Sequence, residues 1–254
     1  MLKLSQIMIY PIKSLDGVSV QSARITHGGA LAHDREYALF DSEGNVVNAK
    51  RTAKIHLICA KFDEGLKSVT LSNQDEEACF ELGDSKMEEW FSDYFGFSIT
   101  IRCNKETGFP DDLNASGPTL VSEATLREVA TWFETISVDE LRQRFRANLE
   151  LSECEPFWED RLCDEPPRTV QFQIGEVKME GVNPCSRCVV PTRNPITAEA
   201  TPKFQRHFAE QRQASLPIWA IPEAFAHFYK LSVNTRIAKH QAGKSIHIGD
   251  EIQC

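Results

Sequence analysis

Short β-rich segments, punctuated by proline, glycine and acidic turns, recur along most of this chain. That spacing restricts it to folds built from small curled sheets, a barrel or a sandwich. Residues 7–12 are rich in β-branched side chains and stopped by Pro11. Val18, Val20, Ala23 and Ile25 alternate with polar neighbours, the period of a half-buried strand. Residues 37–40 lead through the turn-forming run 41–45 into Val46-Val47, which reads as a hairpin. Residues 55–59 and 68–71 add further strands. Strands return in the second half at 148–151, 170–174, 177–180, 189–190 and 245–252.

Helices separate these two β-rich stretches. Ser85 and Glu88 have the spacing of a capping box. Met87, Trp90, Phe91, Tyr94 and Phe95 then recur at helical spacing, a stripe for the core, and Gly96 ends the helix. Ser122 caps a second helix carrying Leu126, Val129, Ala130 and Phe133 on one face. A third spans residues 138–145. Residues 108–118 form a turn-rich loop, and a boundary between the two units is expected near residues 100–115.

The formal charge of −9 disfavours nonspecific nucleic-acid binding, and there is no polybasic membrane signal. No secretory leader pattern and no apolar run of membrane-spanning length is present, so a cytoplasmic location is expected, with the eight cysteines mostly reduced.

The run Cys185-Ser186-Arg187-Cys188 carries the most chemistry. No second close cysteine pair or His-x3–5-His completes a zinc cage, and the thioredoxin context of strand and helix is missing. A metal ligand, a nucleophile, a sulfur carrier and two ordinary thiols all remain open. Arg187, beside Cys188, is expected to favour the ionised thiol. Basic residues with hydroxyl or amide neighbours sit at strand ends: Lys13-Ser14, Arg35, and the run 144–148 with Arg144, Arg146 and Asn148. An oxyanion pocket needs such groups, because guanidinium and ammonium bind the charge while hydroxyl and amide fill the remaining acceptors. Each taken alone is equally an ordinary surface residue. His33 precedes an acidic residue, His247 alternates out of a strand, and no glycine-rich phosphate loop or nucleophile elbow is present.

Six motifs in order resemble one family. Residues 10–17 (Tyr-Pro-Ile-Lys-Ser-Leu-Asp-Gly) and 33–37 (His-Asp-Arg-Glu-Tyr) resemble the MOSC N-terminal β-barrel domain. Residues 145–148, 174–177, 185–188 and 246–250 resemble the MOSC domain itself, the molybdenum-cofactor sulfurase C-terminal module. The closest pattern is that of the amidoxime-reducing components. The resemblance implies a mixed α/β, β-rich fold: a small β-barrel-like domain over residues 1–110 and a MOSC β-barrel with flanking helices over 111–254. It implies a molybdenum–pyranopterin cofactor between them, with Cys188 as metal ligand and catalytic thiolate. Lys13, Ser14 and Arg35 would hold the pterin and phosphate from the first unit, Arg146, Asn148 and Ser186 from the second, with Ser116 and Asn234 as further contacts.

The implied chemistry is reduction of small N-oxygenated compounds, with no nucleic-acid or membrane partner. Neither an iron–sulfur domain after Cys254 nor a membrane anchor before Met1 is expected, so electrons would come from a separate flavoprotein, ferredoxin or cytochrome. Residues 191–198 read Pro-Thr-Arg-Asn-Pro-Ile-Thr-Ala, where relatives show Thr-Thr-Val-Asp-Pro-x-Thr-Gly. That removes an acidic group from the pocket rim and shifts the expected substrate preference. Two other functions compete: a sulfur-carrier or cofactor-delivery protein using a cysteine persulfide, and a non-enzymatic barrel that binds an anion.

Overall fold

The structure, a computed structural model, describes residues 1–254. The chain opens with β1 (Lys3–Ile9), β2 (Val18–Ser19), β3 (Ser22–Arg24), β4 (Tyr37–Phe40) and β5 (Val46–Val47). Then come β6 (Cys59–Phe62), β7 (Ser68–Ser72), β8 (Glu77–Glu81), helix α1 (Ser85–Phe95) and β9 (Thr100–Cys103). β10 (Leu120–Ser122) is followed by α2 (Glu123–Thr131), α3 (Val138–Phe145) and β11 (Leu149–Ser152). β12 (Val170–Ile174), β13 (Val177–Ser186), α4 (Phe204–Ala214), β14 (Lys230–Arg236), β15 (Ser245–His247) and β16 (Ile252–Gln253) complete it.

An eight-stranded sheet, in the order β16-β12-β13-β14-β10-β11-β1-β2, is the frame. Its pairs are antiparallel except β10 with β11, where Leu120 lies opposite Leu149. Parallel neighbours need a crossover, and α2 with α3 supplies it. The sheet curls until its ends meet. Leu4 N–H donates to the Asp250 carbonyl at 2.9 Å, Ile252 N–H donates to the Leu2 carbonyl at 3.1 Å, and Lys3 bridges Glu251. Strands from both sides of residue 110 therefore share one curled sheet. Two three-stranded sheets, β5-β4-β9 and β6-β7-β8, and the pair β15-β3 stand beside it.

Burial follows the pleat. Leu4, Ile7, Leu149, Leu151, Phe172, Ile174 and Val233 fill the inside of the curl. Val121, next to Leu120, points the other way and packs against Leu126, Phe145, Phe204 and Phe208 of the helices. Leu231 joins it because β14 is bulged at Ser232 (φ 68°), which breaks the alternation between Leu231 and Val233. The central strands are thus buried on both faces. A separate core joins Leu39, Val69 and Leu71 to Met87, Trp90, Phe91 and Phe95, where the aromatic stripe was expected. No helix is long and apolar enough to cross a membrane.

Several local expectations change. The N-cap of α1 is Asp84, whose carboxylate accepts from Lys86 N–H at 2.9 Å, and Glu88 instead accepts from Ile101 N–H at 2.7 Å. A stronger acceptor one residue earlier displaces the serine. Of residues 55–59, read as a strand, 55–57 belong to the 3-10 helix Ala53–Leu57, and only Cys59 lies in a strand, at the start of β6. Ile55 and Ile58 are the buried anchors of that helix, and three-residue spacing is its period. Val190–Thr192 is likewise a 3-10 turn rather than a strand, with Pro191 at its start. Ser122, Gly96 and the span of α3 stand where the sequence put them.

Candidate functional site

A cleft of about 1300 Å³ opens between the N-terminal unit and the curled sheet. Lys13, Ser14, Arg35, Ser116, Arg146, Asn148, Ser186, Cys188 and Asn234 all line it. Sequence separations of more than two hundred residues collapse here because these residues sit near strand or helix ends, or on β14.

Three of these residues have left-handed backbones despite carrying side chains: Ser14 (φ 74°), Arg35 (φ 51°) and Arg146 (φ 54°). Each such conformation costs about 1 kcal/mol or more in an ordinary residue. Arg146 is also the C-cap of α3, its N–H donating to the Arg142 carbonyl at 2.8 Å. The strain turns these side chains away from their own elements and into the cleft.

Asn148 is the knot. It is 1% exposed, its Nδ2 donates to the Met8 carbonyl at 3.0 Å, and its Oδ1 accepts from Arg35 Nη1 and Thr119 N–H, both at 3.2 Å. One side chain thereby ties β1 and the approach to β10 to the Arg35 guanidinium. Tyr10, which the sequence did not single out, is the second organiser. Arg146 lies 4.1 Å and Arg35 5.2 Å from its ring centre, and its hydroxyl donates to the Ala147 carbonyl at 3.3 Å. A buried aromatic face holds two cations that would otherwise repel. Asp34 pairs with Arg35 and also accepts from Tyr10 N–H at 3.0 Å.

Charge compensation in the cleft is uneven. Lys13 Nζ donates to the Phe109 carbonyl at 2.7 Å and to Asp111 at 2.6 Å, and Lys50 meets the same carboxylate at 3.0 Å. Burial lowers the Lys13 pKa, with Asp111 working against that shift. Burial likewise opposes ionisation of Asp111, yet Lys13 and Lys50 hold its carboxyl well below the usual carboxylate range. Arg146 differs: its guanidinium donates to the Leu15 carbonyl but forms no ion pair. Burial, and then Arg35, push its pKa down. It is a half-buried cation with no carboxylate paired to it. His56, unmarked in the sequence reading, also lines the cleft. Its Nε2 is buried without a partner, and burial, with Arg193, Arg146 and Arg144 nearby, drops its pKa to about 4, so the ring is neutral near pH 7.

The thiol segment leaves the end of β13, where Ser186 faces Lys230 and Arg187 N–H donates to the Tyr229 carbonyl at 3.0 Å. Both cysteines are free and half-buried. Arg187 does not serve Cys188 as expected. Its Nη1 donates to Cys185 Sγ at 3.1 Å and its Nη2 to the Phe145 carbonyl. Ser14 Oγ accepts from Ala49 N–H at 3.2 Å, Ser116 Oγ donates to the Gly28 carbonyl at 2.9 Å, and Asn234 Nδ2 donates to Asn183 at 2.9 Å. These three are partly engaged in holding the walls together.

Residues 1–136 match the MOSC N-terminal beta barrel domain, and residues 118–253 match the MOSC domain. The chain belongs to the MOSC family. Among curated relatives of this MOSC protein, mitochondrial amidoxime reducing component 2 of Rattus norvegicus is 26% identical over 241 residues, covering 76% of this chain and 67% of the relative. Mitochondrial amidoxime-reducing component 1 of Xenopus laevis is 26% identical, covering 79% and 68%. The molybdenum cofactor sulfurase of Oryza sativa subsp. japonica is 25% identical over 236 residues, and there the MOSC protein covers 73% of itself but spans only 27% of the relative. No group of three histidine, cysteine or acidic side chains could hold a bare metal ion. A metal bound through Cys188 would need its other ligands from a non-protein group.

Proposed function

We propose that this MOSC protein holds a molybdenum–pyranopterin cofactor in the cleft and reduces small N-oxygenated compounds, such as N-hydroxylated amidines or amines. One observation carries this reading. A half-buried thiol, Cys188, shares a single cleft with Arg146, a half-buried cation that lacks a paired carboxylate. A soft metal suits the thiolate, and an anionic pterin phosphate suits the unpaired guanidinium. When bound, the cofactor supplies a two-electron, oxygen-accepting metal centre.

The protein residues have separable tasks. Cys188 would hold the metal through its sulfur. Arg146 and Arg35, braced on Tyr10, present two guanidinium groups to the anion. Lys13 offers it a third N–H, two being used on Phe109 and Asp111. Ser14, Ser116, Ser186 and Asn234 supply hydroxyl and amide contacts, while Asn148, with its amide committed, positions Arg35. The balance of the reaction is simple: two electrons and two protons convert N–OH into N–H and water. The electrons come from a separate flavoprotein, ferredoxin or cytochrome.

Metal and pterin analysis tests this reading on protein freshly purified from a cofactor-producing host. About one molybdenum per chain is expected, with loss of the metal in Cys188→Ala and retention in Cys185→Ala. A Cys188→Ala protein that kept its molybdenum would overturn the ligand assignment.

A second reading draws on Arg187. Its hydrogen bond places a guanidinium directly against Cys185 Sγ, a contact that a persulfide carrier for cofactor maturation could use. Persulfide labelling after exposure to a cysteine desulfurase separates the two readings: label on Cys185 without bound molybdenum supports the carrier.

A further inference from the structure

A second pocket, about 690 Å³, adjoins the thiol segment, and Arg187 lines both it and the cleft. Its remaining basic lining residues are Lys203, Arg206 and His227, and no carboxylate lines it. The N-terminus of α4 opens onto this space. Lys203 takes the N-cap position in a left-handed backbone (φ 59°) and provides no side-chain cap. Phe204 and His207 N–H find the Thr201 and Lys203 carbonyls, which leaves the Gln205 and Arg206 amides without acceptors. Tyr229 lines the same pocket with a side chain 2% exposed, and its hydroxyl has no hydrogen-bond partner. Arg187 Nε is also buried and unpartnered. Arg206 is tied to Glu210 at 2.8 Å, but Lys203 and Arg187 form no ion pair.

We infer that this pocket binds a small organic phosphate monoester. Free amides at a helix start, aligned with the helix dipole, favour a compact dianion, and Lys203 and Arg187 supply the countercharge. The volume exceeds what a bare phosphate needs and falls in the range of ordinary ligand pockets. The half-exposed Val189 and Phe228 on its wall would take the organic part. The site shares Arg187 with the cleft but uses none of the residues assigned to the cofactor, so it stands whether or not the MOSC protein carries molybdenum.

The test is a titration of the intact protein with phenyl phosphate, followed by backbone amide chemical shifts and by calorimetry. The Gln205 and Arg206 amides should move on binding, and phenyl phosphate should bind more tightly than inorganic phosphate. Lys203→Glu should weaken binding about tenfold or more, and Tyr229→Phe should weaken it a few-fold. Lys13→Ala, in the cleft, should leave those amide shifts unchanged. Binding that Lys13→Ala abolishes and Lys203→Glu leaves intact would place the anion in the cleft and overturn the inference. So would the absence of any shift at residues 205 and 206 in the wild-type protein.

Discussion

Glu159 lies under the curled sheet, 1% exposed, in the 3-10 turn Trp158–Leu162. Its Oε2 accepts from Thr125 Oγ1 at 3.0 Å, and its Oε1 has no partner. Burial, aided by the neighbouring Asp160 charge, raises its pKa from 4.5 to about 7. The folded state therefore holds this proton more tightly than the unfolded chain does. The stabilising effect of that proton is complete below pH 4.5 and is lost as pH rises through 7. At about 1.4 kcal/mol per pH unit, the buried charge costs on the order of 3 kcal/mol above pH 8. Glu159→Gln keeps an acceptor for Thr125 and removes the charge. Its amide N–H2 falls where Oε1 had no partner, a penalty of about 1–2 kcal/mol. The variant should be slightly less stable than wild type at pH 5 and about 1–2 kcal/mol more stable at pH 8.5. Urea unfolding at both pH values measures this directly. A mutational effect equal at pH 5 and pH 8.5 would show that the carboxyl does not titrate between them, and the argument from burial would fail.

Four other outcomes follow from the geometry. Asn148→Ala should lower stability by about 2–4 kcal/mol, because the Met8 carbonyl and Thr119 N–H lose a buried partner; denaturant midpoints check it. Asp111→Asn should tighten inorganic phosphate binding in the cleft about fivefold by freeing Lys13 and Lys50, read by calorimetry. Arg146→Gln should fold normally by circular dichroism yet lose pterin, read by fluorescence of the oxidised pterin. Gly181→Ala should cost about 3 kcal/mol or prevent folding, because a Cβ there would lie 1.9 Å from the Leu162 carbonyl oxygen; soluble yield and thermal midpoint report it.

Local signals in the sequence were read well where the cause was itself local. Ser122 caps α2, Gly96 ends α1, and α3 spans Val138–Phe145, because capping and helical spacing depend on neighbours within a turn. β14 was missed although Leu231, Val233 and Thr235 alternate, because its neighbours across the sheet, β10 and β13, lie far away in sequence. The nine candidate residues meet in one cleft, and strand-end placement was the readable sign of that. Their individual engagements were not readable. Which cysteine Arg187 serves, that Tyr10 carries two guanidinium groups, and that Arg146 lacks a carboxylate are all set by tertiary register. His56 offered a faint signal, a lone imidazole in an apolar run, but nothing in the run says that three arginines surround it.

The closure of the sheet through Leu2, Leu4, Asp250 and Ile252 has a kinetic consequence. Nearly the whole chain must leave the ribosome before the ring can seal, so β1 waits with an unpaired edge while more than two hundred residues are made. Contacts of such long range fold slowly, and an open edge strand invites pairing with other chains. During synthesis the molecule should therefore depend on chaperones that shield β1. Carboxy-terminal truncation before Asp250 would extend that vulnerable interval indefinitely, turning a transient edge into a permanent site for aggregation.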